Sequence, residues 1–533
     1  MAKVWDIAPI HSEDLIDQLL FNRGVKTADE KKKFFDPKVD DYKDELELKG
    51  ISAAKKRILQ AIDKKEQIFI YGDYDVDGVS GTAILYHGLT SIGAKVLPYI
   101  PHREKEGYGL SSEGLQKVKD QGAGLVITVD NGIVAVEQVL FAKTLGLDLI
   151  ITDHHLPQEK LPEAVAIVHS TEMSGGAVAW CLMRQLISPE QAEELLDLVA
   201  LSTIGDMLPL VGLNRALVTE GLIVFNKTKR VGLLALISVV GLSPGRITAL
   251  QIGQVIGPKI NAIGRLDHSI EALRLLCTKD IHKARLLAEL FVETNNQQMK
   301  LTTQAVAEAK EYLLQDADVS DKKIVFLYSD KWTTGIISLV AWRICEEYRL
   351  PTIIVSQGEA FSKGSARSAN GLDIVEIIRN HSDILTAVGG HAKAAGFTVA
   401  TQHLALLKER LEKSAAGFVI DQTEKVKIEA LVEGKKLTRK TVEEINLLEP
   451  FGIGNPRPVL GTRNMKLSNI KAVGEGKHLK FKADGIDAIA FSMGNLTGIL
   501  QDGQLADIAF NLEIDCYNGN EKLQLKVADI KLA

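Results

Sequence analysis

Aspartates at alternate positions follow an apolar run near residue 70, and they are the first candidates for chemistry. Residues 67–80 read QIFIYGDYDVDGVS, in which Asp73, Asp75 and Asp77 come after a short run that predicts a buried strand. Side chains two apart on an extended chain point the same way, so Asp75 and Asp77 are expected to face one point. Carboxylates this close repel each other unless a cation lies between them. An aspartate-rich turn without a ligand is the alternative that this stretch leaves open.

Three further apolar runs end in carboxylates or imidazoles. The runs are LVITVD, LDLIITDHH and a third that begins at Leu196, and their polar end residues are Asp130, Asp153, His154, His155 and Asp206. Mixed aspartate and histidine ligation favours manganese, zinc or iron over calcium. A lone aspartate after a strand is usually a turn former, but four such ends together predict a divalent metal site.

Composition sets the outer bounds. A chain of 533 residues, 46% hydrophobic and 25% charged, is expected to be an ordinary globular protein of several domains. The net charge of -6 gives no overall basic field that indicates nucleic acid, although it leaves a local basic channel possible. Four cysteines, far apart and without CxxC spacing, are interpreted as reduced and packed: Cys181, Cys277, Cys345 and Cys516. No apolar run is long enough for a signal peptide or a membrane span, so a cytoplasmic location without a membrane partner is expected.

Strand and helix signals alternate between residues 67 and 153, which predicts a mostly parallel sheet with helices on both faces. An amphipathic helix at residues 51–64 precedes the first strand, and helices are predicted at 79–92, 113–120 and 134–145. Residues 1–45 predict a helical hairpin that packs as an arm on this first domain. The loop PHREKEGYGLS at 101–111 is expected on the functional edge.

The motifs resemble those of a known family in both order and spacing. DYDVDG at 73–78, VDNG at 129–132, DHH at 153–155 and GDMLPL at 205–210 resemble the successive motifs of DHH-family phosphoesterases. Five further stretches are similar to the single-strand-specific 5′ to 3′ exonuclease branch of that family: GYGL at 107–110, PKINAIGR at 258–265, GSARS at 364–368, GGHAKAAG at 389–396 and PFGIGNPRP at 450–458. Two departures are Thr333, where the family has a histidine after the tryptophan, and Tyr71, where related pyrophosphatases have a ligand histidine.

The resemblance implies an α/β fold. Two α/β domains, a parallel-sheet DHH domain and a DHH-associated domain, would be joined by a long helix and followed by a C-terminal OB-like β-barrel. The expected boundaries are 1–45 for the N-terminal arm, 46–215 for the DHH metal-binding catalytic domain, 216–318 for the helical connector, 319–418 for the DHH-associated substrate-binding domain, and 425–533 for the nucleic-acid-binding barrel.

The resemblance also implies two divalent cations, Mn²⁺ in first place and Mg²⁺ as the alternative. The implied ligands are Asp75, Asp77, Asp130, His154 and Asp206. Asp130 would bridge the ions and act in catalysis with His155 and Asp153, while Asp73 and Asp153 would orient ligands from the second layer. His155 is expected to face the phosphate or to protonate the leaving 3′ oxygen, and a packed histidine bonded to backbone is the alternative.

The substrate contacts implied by the resemblance lie on other segments. Arg103, Ser365 and Arg367 would form a pocket for a 5′ phosphate, because guanidinium groups bind phosphate in a bidentate manner. Asn261, Arg265 and His391 would face the nucleic acid, although GGHAKAAG is also compatible with a tight turn. Candidate DNA contacts on the barrel are Lys477, His478, Lys480 and Phe481, and a solvated strand face is the alternative for each of them.

The function expected from the resemblance is 5′ to 3′ hydrolysis of single-stranded DNA to mononucleotides, in DNA repair and recombination. The protein is expected to be a monomer, with a single-strand-binding protein and a helicase as partners. Two alternatives stay open. One is a phosphodiesterase acting on short oligoribonucleotides or cyclic dinucleotides, whose members usually lack the barrel. The other is a silent DNA-binding replication subunit, in which the carboxylates are lost.

Overall fold

The computed structural model describes residues 3–103, 106–315, 322–369, 371–418, 423–515 and 521–532. The chain divides into two units, and each has its own core. The larger unit consists of Leu46–Asp206 and Gly221–Gln422, and the smaller one consists of Met1–Glu45, Met207–Glu220 and Thr423–Ala533. Strands and helices alternate in the larger unit as expected, so the predicted α/β fold with a terminal barrel is confirmed.

A five-stranded parallel sheet forms the first half of the larger unit. Its strand order is Lys95–Tyr99, Gln67–Gly72, Ala123–Val129, Asp148–Asp153 and Ala166–His169. The three central strands are buried on both faces, which explains their nearly continuous apolar sequence. Gly72 pairs with Val129, and Val129 pairs with Thr152, so three strands end at the same edge of the sheet.

Helices cover both faces of this sheet. They are Ile51–Asp63, Val76–Ser91, Ser112–Asp120, Val136–Thr144, Gly175–Met183, Pro189–Glu194 and Leu196–Gly205. The apolar run before Asp206 is therefore a helix, unlike the other three runs that end in ligand-type residues. Nearly every residue of this helix is buried, and a helix buried all round shows no periodicity that separates it from a buried strand.

The connecting region is helical, as predicted. Its helices are Gly212–Phe225, Val231–Val239, Ala249–Gln251, Gly257–Leu266, Ile270–Cys277 and Ile281–Gln315, with a π-helical turn at Ile252–Ile256. The last helix has 35 residues and is about 52 Å long at 1.5 Å per residue. The domain boundary expected at residue 215 falls inside the helix Gly212–Phe225. The polar residues at the start of this helix resemble a linker in sequence, which explains why the boundary was expected there.

A second, mixed sheet follows in the larger unit. Its strand order is Leu385–His391, Ala394–Ala400, Phe361–Arg367, Thr352–Ser356 and Val325–Ser329, and only the last two pair in parallel. The accompanying helices are Ile337–Tyr348, Ile374–Arg379 and Leu404–Ala415. The GSARS stretch is mostly the end of the strand Phe361–Arg367. Its small residues give Phe397 room, since a Cβ on Gly364 would lie 2.1 Å from the Phe397 ring.

The smaller unit contains a closed β-barrel. Its strands, in order of pairing, are Ala430–Leu431, Leu460–Val473, His478–Ala483, Ile486–Ala490, Lys522–Leu532 and Leu505–Asp515, and the second also pairs with the last. A helix, Arg439–Asn446, precedes the long second strand. That strand was not predicted, because two register shifts interrupt its alternation. Phe481 is buried in the barrel and cannot be the surface contact suggested above.

The N-terminal arm groups with the smaller unit and not with the first α/β domain, on which it was predicted to pack. Its strand Val4–Ile7 pairs in parallel with Lys425–Ile428. The predicted helical hairpin is present as Leu15–Asn22 and Ala28–Phe35, and a short helix follows at Lys43–Leu46. The polar sequence of the arm does not predict how it packs. Within the smaller unit, Arg23 of the arm forms a largely buried salt bridge with Glu429.

Three cysteines are free, namely Cys181, Cys277 and Cys345, while Cys516 lies outside the described residues. Within the described ranges, no helix combines the length and the apolar character needed to cross a bilayer.

The packing of the helix Ile51–Asp63 on the parallel sheet gives a test of the fold. Gly50 has φ +83°, and a Cβ there would lie 2.1 Å from the carbonyl oxygen of Ile167, whereas Gly93 has φ +81° and open space around it. Gly93→Ala should lower the free energy of unfolding by about 1 kcal/mol, which is the cost of a left-handed conformation. Gly50→Ala should lower it by about 3 kcal/mol or more, because the backbone around Ile167 must also move. Thermal melting of both variants checks this, and equal melting temperatures would contradict the packing.

Candidate metal and phosphate site

The first acidic segment forms a turn that begins a helix. Asp75 is in extended conformation and caps the helix Val76–Ser91, since its Oδ1 accepts hydrogen bonds from the amides of Asp77 (2.9 Å) and Gly78 (3.1 Å). Asp77 lies in the first helical turn, so the strand alternation used to pair it with Asp75 does not apply. The turn is tight, because a Cβ on Gly78 would lie 2.7 Å from Cα of Asp73.

Backbone amides from a second helix hold the Asp77 carboxylate. Gly175 N donates to Oδ2 and Gly176 N donates to Oδ1, each at 2.8 Å. Neither glycine can carry a side chain, since a Cβ would lie 2.8 Å from Cβ of Asp130 or 2.4 Å from Oγ of Ser202. Sequence analysis missed this pair. The available signal was a serine followed by two glycines at the start of an apolar helix.

Asp130 follows the strand Ala123–Val129 with φ +62°, a left-handed conformation that is uncommon outside glycine. Its amide donates to the carbonyl of Thr152 at 3.1 Å, and its side chain is buried at the sheet edge. Its Oδ1 lies 3.0 Å from Nε2 of His154, yet no hydrogen bond joins the two atoms. Strained residues of this kind cluster at functional sites.

Asp153 orients both histidines that follow it. Its Oδ1 accepts from the amide of His154 (2.7 Å) and lies 2.8 Å from Nδ1 of His155, while its Oδ2 accepts from the amide of Ile133 (2.8 Å). The Tyr108 hydroxyl donates to the carbonyl of Asp130 at 3.0 Å and lies 3.1 Å from His155 Nδ1. The His155 ring is therefore fixed in position beside the carboxylates, with part of it exposed.

Nε2 of His154 is the centre of the cluster. It lies 3.6 Å from Oδ2 of Asp77 and 3.7 Å from Oδ2 of Asp206, in addition to its approach to Asp130. Three overlapping groups each keep their ligand atoms within 4.8 Å of one another: Asp77, His154 and Asp206; Asp73, Asp75 and Asp130; and Asp130, His154 and His155. Ligands of one small divalent ion lie roughly 3 Å apart, so these groups match metal coordination after slight contraction.

Burial and mutual repulsion act on the carboxylates. Burial, followed by the charge of Asp77, raises the pKa of Asp206 to about 9 and the pKa of Asp130 well above its ordinary value. Burial and Asp75 raise the pKa of Asp73 in the same way, and burial and Asp77 raise that of Asp75. The cluster thus concentrates more negative charge than the surrounding protein neutralises.

The histidines and Asp153 behave differently. Burial lowers the pKa of His154, so its imidazole is neutral and able to act as a ligand. For His155, burial alone would lower the pKa, but the hydrogen bond and charge of Asp153 outweigh it and the pKa is raised. Burial would raise the pKa of Asp153, but His155 reverses that effect and keeps this carboxyl ionised.

Two buried oxygens support a cation site directly. Oδ1 of Asp73 and Oδ1 of Asp130 have no hydrogen-bond partner, although nearly all buried polar atoms in proteins have one. Both residues belong to the group Asp73, Asp75 and Asp130 described above. Carboxylate oxygens and a neutral imidazole are a donor set that suits Mn²⁺ and, with fewer nitrogens, Mg²⁺.

Arginines from three segments of the larger unit form the second part of the site. The Arg103 guanidinium stacks over the ring of Tyr74 at 4.9 Å, and Nη1 of Arg367 lies 3.3 Å from Oγ of Ser365. Burial, then the charges of Arg103 and Arg367, lowers the pKa of Arg265 to about 10. The three guanidinium groups are therefore close enough to repel one another, and an anion between them would relieve this repulsion.

Two of the predicted substrate contacts are placed differently. The Asn261 Oδ1 accepts from the amide of Val76 at 2.8 Å, so this oxygen holds the start of the metal-binding helix. His391 is exposed on its hairpin. It pairs with Ala394, which in turn pairs with Arg367, so it lies two strands from the arginine. No contact within the described residues joins it to the guanidinium groups.

Comparisons with known proteins agree with this arrangement. Three family models match the chain: the DHH family N-terminal domain at residues 67–203, the DHHA1 domain at 321–417 and the RecJ OB domain at 428–529. The single-stranded-DNA-specific exonuclease RecJ of Bacillus subtilis is 34% identical over 98% of this chain and 68% of its own length. RecJ of Haemophilus influenzae is 32% identical over 97% of this chain and 96% of its own length.

Solved structures give the same result. The crystal structure of Thermus thermophilus RecJ in complex with Mn²⁺ matches with a TM-score of 0.85 and 30% identity, covering 99% of this chain and 80% of that one. The same protein in complex with Mg²⁺ matches with a TM-score of 0.78 and 28% identity, covering 99% and 78%. With identities of 30–32% over 95–96% of the length of three relatives, the chain belongs to the RecJ family of single-stranded-DNA-specific exonucleases.

Proposed function

We propose that this protein hydrolyses single-stranded DNA from its 5′ end and releases mononucleotides, using two divalent cations. The observation that carries the proposal is the pairing of a buried carboxylate–imidazole cluster with a cluster of arginines in the same unit. The first suits cations and the second suits a phosphate. Relatives that are named as single-stranded-DNA-specific exonucleases support the substrate.

In the proposed site, Asp77, His154 and Asp206 would hold one cation and Asp75 would serve the other. Asp130 would contribute to both positions, since it belongs to two of the three ligand groups. Asp73 supports the second position from behind. When bound, the two cations would lower the pKa of a water and neutralise charge on the phosphoryl group. Mn²⁺ is the first choice and Mg²⁺ the second, in line with the relative that was crystallised with each of these ions.

His155 acts on the phosphate in this proposal. Its raised pKa favours the protonated imidazole, which can donate a hydrogen bond to a phosphoryl oxygen or a proton to the leaving 3′ oxygen. Asp153 fixes the ring through Nδ1. The Tyr108 hydroxyl lies 3.1 Å from Nδ1 and 3.2 Å from Nε2, so it restrains the edge of the ring that carries both nitrogens.

The arginine cluster gives the proposed reaction its direction. Arg103, Arg367 and Ser365 bind a terminal 5′ phosphate, and Arg265 adds a third guanidinium. Fixed spacing between this cluster and the carboxylates would allow cleavage only near a 5′ end. Asn261 supports the metal-binding loop, and we propose that His391 contacts the strand farther along. The OB-type barrel would hold single strands through backbone charge and base stacking, and Lys477, His478 and Lys480 are its candidate contacts.

Several finer points belong to the same proposal. The protein would act as a cytoplasmic monomer in DNA repair and recombination, together with a single-strand-binding protein and a helicase. The proposed domains are 46–215, 216–318, 319–418 and 425–533, supported by the residues that the three family models match. The arm at 1–45 is proposed to stabilise the unit that contains the barrel.

The function itself is tested with Asp130→Asn, because asparagine tolerates a left-handed conformation and removes only the charge. We expect at least about a thousandfold loss of hydrolysis, as when an essential charge is removed from an active site. The assay digests 5′- and 3′-labelled single strands and duplexes with Mn²⁺ or Mg²⁺. The wild type should release mononucleotides first from the 5′ label of single strands. Asp120→Asn, at an exposed helix end, is the matched control, and equal activity of both variants would refute the proposal.

The raised carboxyl pKa values predict how metal binding depends on pH. Carboxyls whose pKa is raised by folding bind protons more tightly than in the unfolded chain, so the metal-free fold loses stability as pH rises from about 4 to about 9. Cations displace these protons and restore that stability. The rise in melting temperature on adding Mn²⁺ should therefore be larger at about pH 8 than at about pH 6. His154 is already neutral and adds nothing to this trend. Asp206→Asn should reduce the pH dependence of this increase in melting temperature. An increase that becomes smaller from about pH 6 to about pH 8 in the wild type would contradict the proposed ligands.

The phosphate pocket is tested with Arg367→Ala. In this variant, the ratio of activity on 5′-phosphorylated ends to activity on unphosphorylated ends should fall about tenfold. One charged hydrogen bond to the phosphate contributes about that much. Bound Mn²⁺, measured by calorimetry, should not change. Lys363→Ala removes an exposed charge from the same strand and is the control. Equal loss on both kinds of end would show that Arg367 does not read the phosphate.

A further inference from the structure

A second cavity of about 790 Å³ lies in the larger unit, and none of its lining residues belongs to the metal or phosphate site. It opens between the end of the helix Ile270–Cys277 and the segment 227–231 that follows the helix Gly212–Phe225. Its volume is in the range that small organic ligands occupy in proteins. The exonuclease reaction proposed above makes no use of it.

One part of the cavity lining combines an unpartnered histidine nitrogen with cationic side chains. The histidine is His87, and its Nε2 has no hydrogen-bond partner within the described residues. The side-chain charges that act on His87 are those of Arg230 and Lys279, and together with burial they lower its pKa to about 4. Its imidazole is therefore neutral at physiological pH. Its one ring N–H donates to the carbonyl of Leu276, so the unpartnered Nε2 can only accept a hydrogen bond, and the Lys279 ammonium is the phosphate donor in this part of the cavity.

The rest of the cavity lining includes an ion pair, a lysine, an apolar wall and a group of glutamates. Asp197 is buried and accepts from Nε of Arg230 at 2.8 Å, so that arginine's charge is already balanced. Lys279 has no ion pair within the described residues and is left for a ligand. An apolar wall of Ile223, Val231 and Leu276 lies alongside. The helix Pro189–Glu194 adds three glutamates, which can accept hydrogen bonds from hydroxyl or amino groups.

An ammonium group, an unpartnered imidazole nitrogen, an apolar wall and carboxylate acceptors together match one class of small molecule. We propose that this cavity binds a nucleoside 5′-monophosphate, with its phosphate at Lys279, a sugar hydroxyl donating to Nε2 of His87, its flat base against the apolar wall, and its amino groups at the glutamates. The proposed reaction releases molecules of this class, so in this respect the inference rests on the proposed function.

The position of the cavity indicates what such binding would do. His87 belongs to the helix that begins at the metal-binding turn, ten residues beyond Asp77, which is about 15 Å along the axis. Asp197 begins the helix that ends at Asp206, nine residues away, or about 14 Å. The two helices that bring these proposed ligands to the cations therefore have their other ends at the cavity. A bound product would restrain both helices at once.

Hydrogen–deuterium exchange of the full-length protein tests the proposal, with dAMP, deoxyadenosine and inorganic phosphate as separate probes. Millimolar dAMP should slow exchange in peptides covering 227–231 and 276–279, and each of the other two probes should protect them less. Protection in peptides around the metal-binding turn reports the catalytic site and is scored separately. Because no turnover is measured, a failure here leaves the exonuclease assignment intact.

Charge reversal at the cavity rim provides the matched variants. Lys279→Glu should raise the dAMP concentration for half-maximal protection at 227–231 by about tenfold, the loss of one charged contact. Lys283→Glu makes the same change on an exposed residue one turn away that does not line the cavity, and it should have less than about a twofold effect. The proposal is overturned if wild-type protein shows no protection in these peptides, if phosphate alone protects as well as dAMP, or if both variants respond alike.

Discussion

Repulsion among buried carboxylates is the constraint on which this structure depends. Five aspartates from three segments of the chain meet at one edge of a parallel sheet, and burial makes their charge costly. Helix N-termini offset part of this cost. Asp75 caps one helix, and Asp77 accepts two amides at the start of another, where the helix dipole favours an anion. The unpartnered oxygens of Asp73 and Asp130 show that a deficit of positive charge remains.

The same unit carries the opposite imbalance in its arginine cluster. Arg265 and Arg367 are largely buried, and burial lowers the pKa of both. Neither guanidinium has a carboxylate partner within the described residues. Charges of the two clusters act on each other, as Arg103 does on Asp73 and Asp75 does on Arg265, yet no ion pair joins these clusters within the described residues. Cations at one and a phosphate at the other would satisfy both, which is the arrangement that a phosphodiesterase acting at a chain end requires.

Sequence reasoning succeeded where local pattern and tertiary structure agree. The alternation of strands and helices predicted the parallel sheet, and the four motif ends predicted which residues meet at its edge. It failed where a pattern had two readings. The run before Asp206 is a helix, because complete burial removes periodicity, and Asp77 is helical because Asp75 caps the helix earlier than expected. The long barrel strand was missed because bulges interrupt its alternation. The contacts that place Gly175 and Gly176 against Asp77 and Asp130 depend on tertiary approach, which no local pattern encodes.

The most direct measurement is the anomalous scattering of crystals grown with Mn²⁺. The account predicts two strong peaks about 3.5–4 Å apart, the separation usual in two-metal sites, with the Asp130 carboxylate between them and His154 beside one of them. A single peak away from Asp130, or carboxylates that keep their positions without any bound ion in saturating Mn²⁺, would contradict the central claim that cations neutralise this cluster.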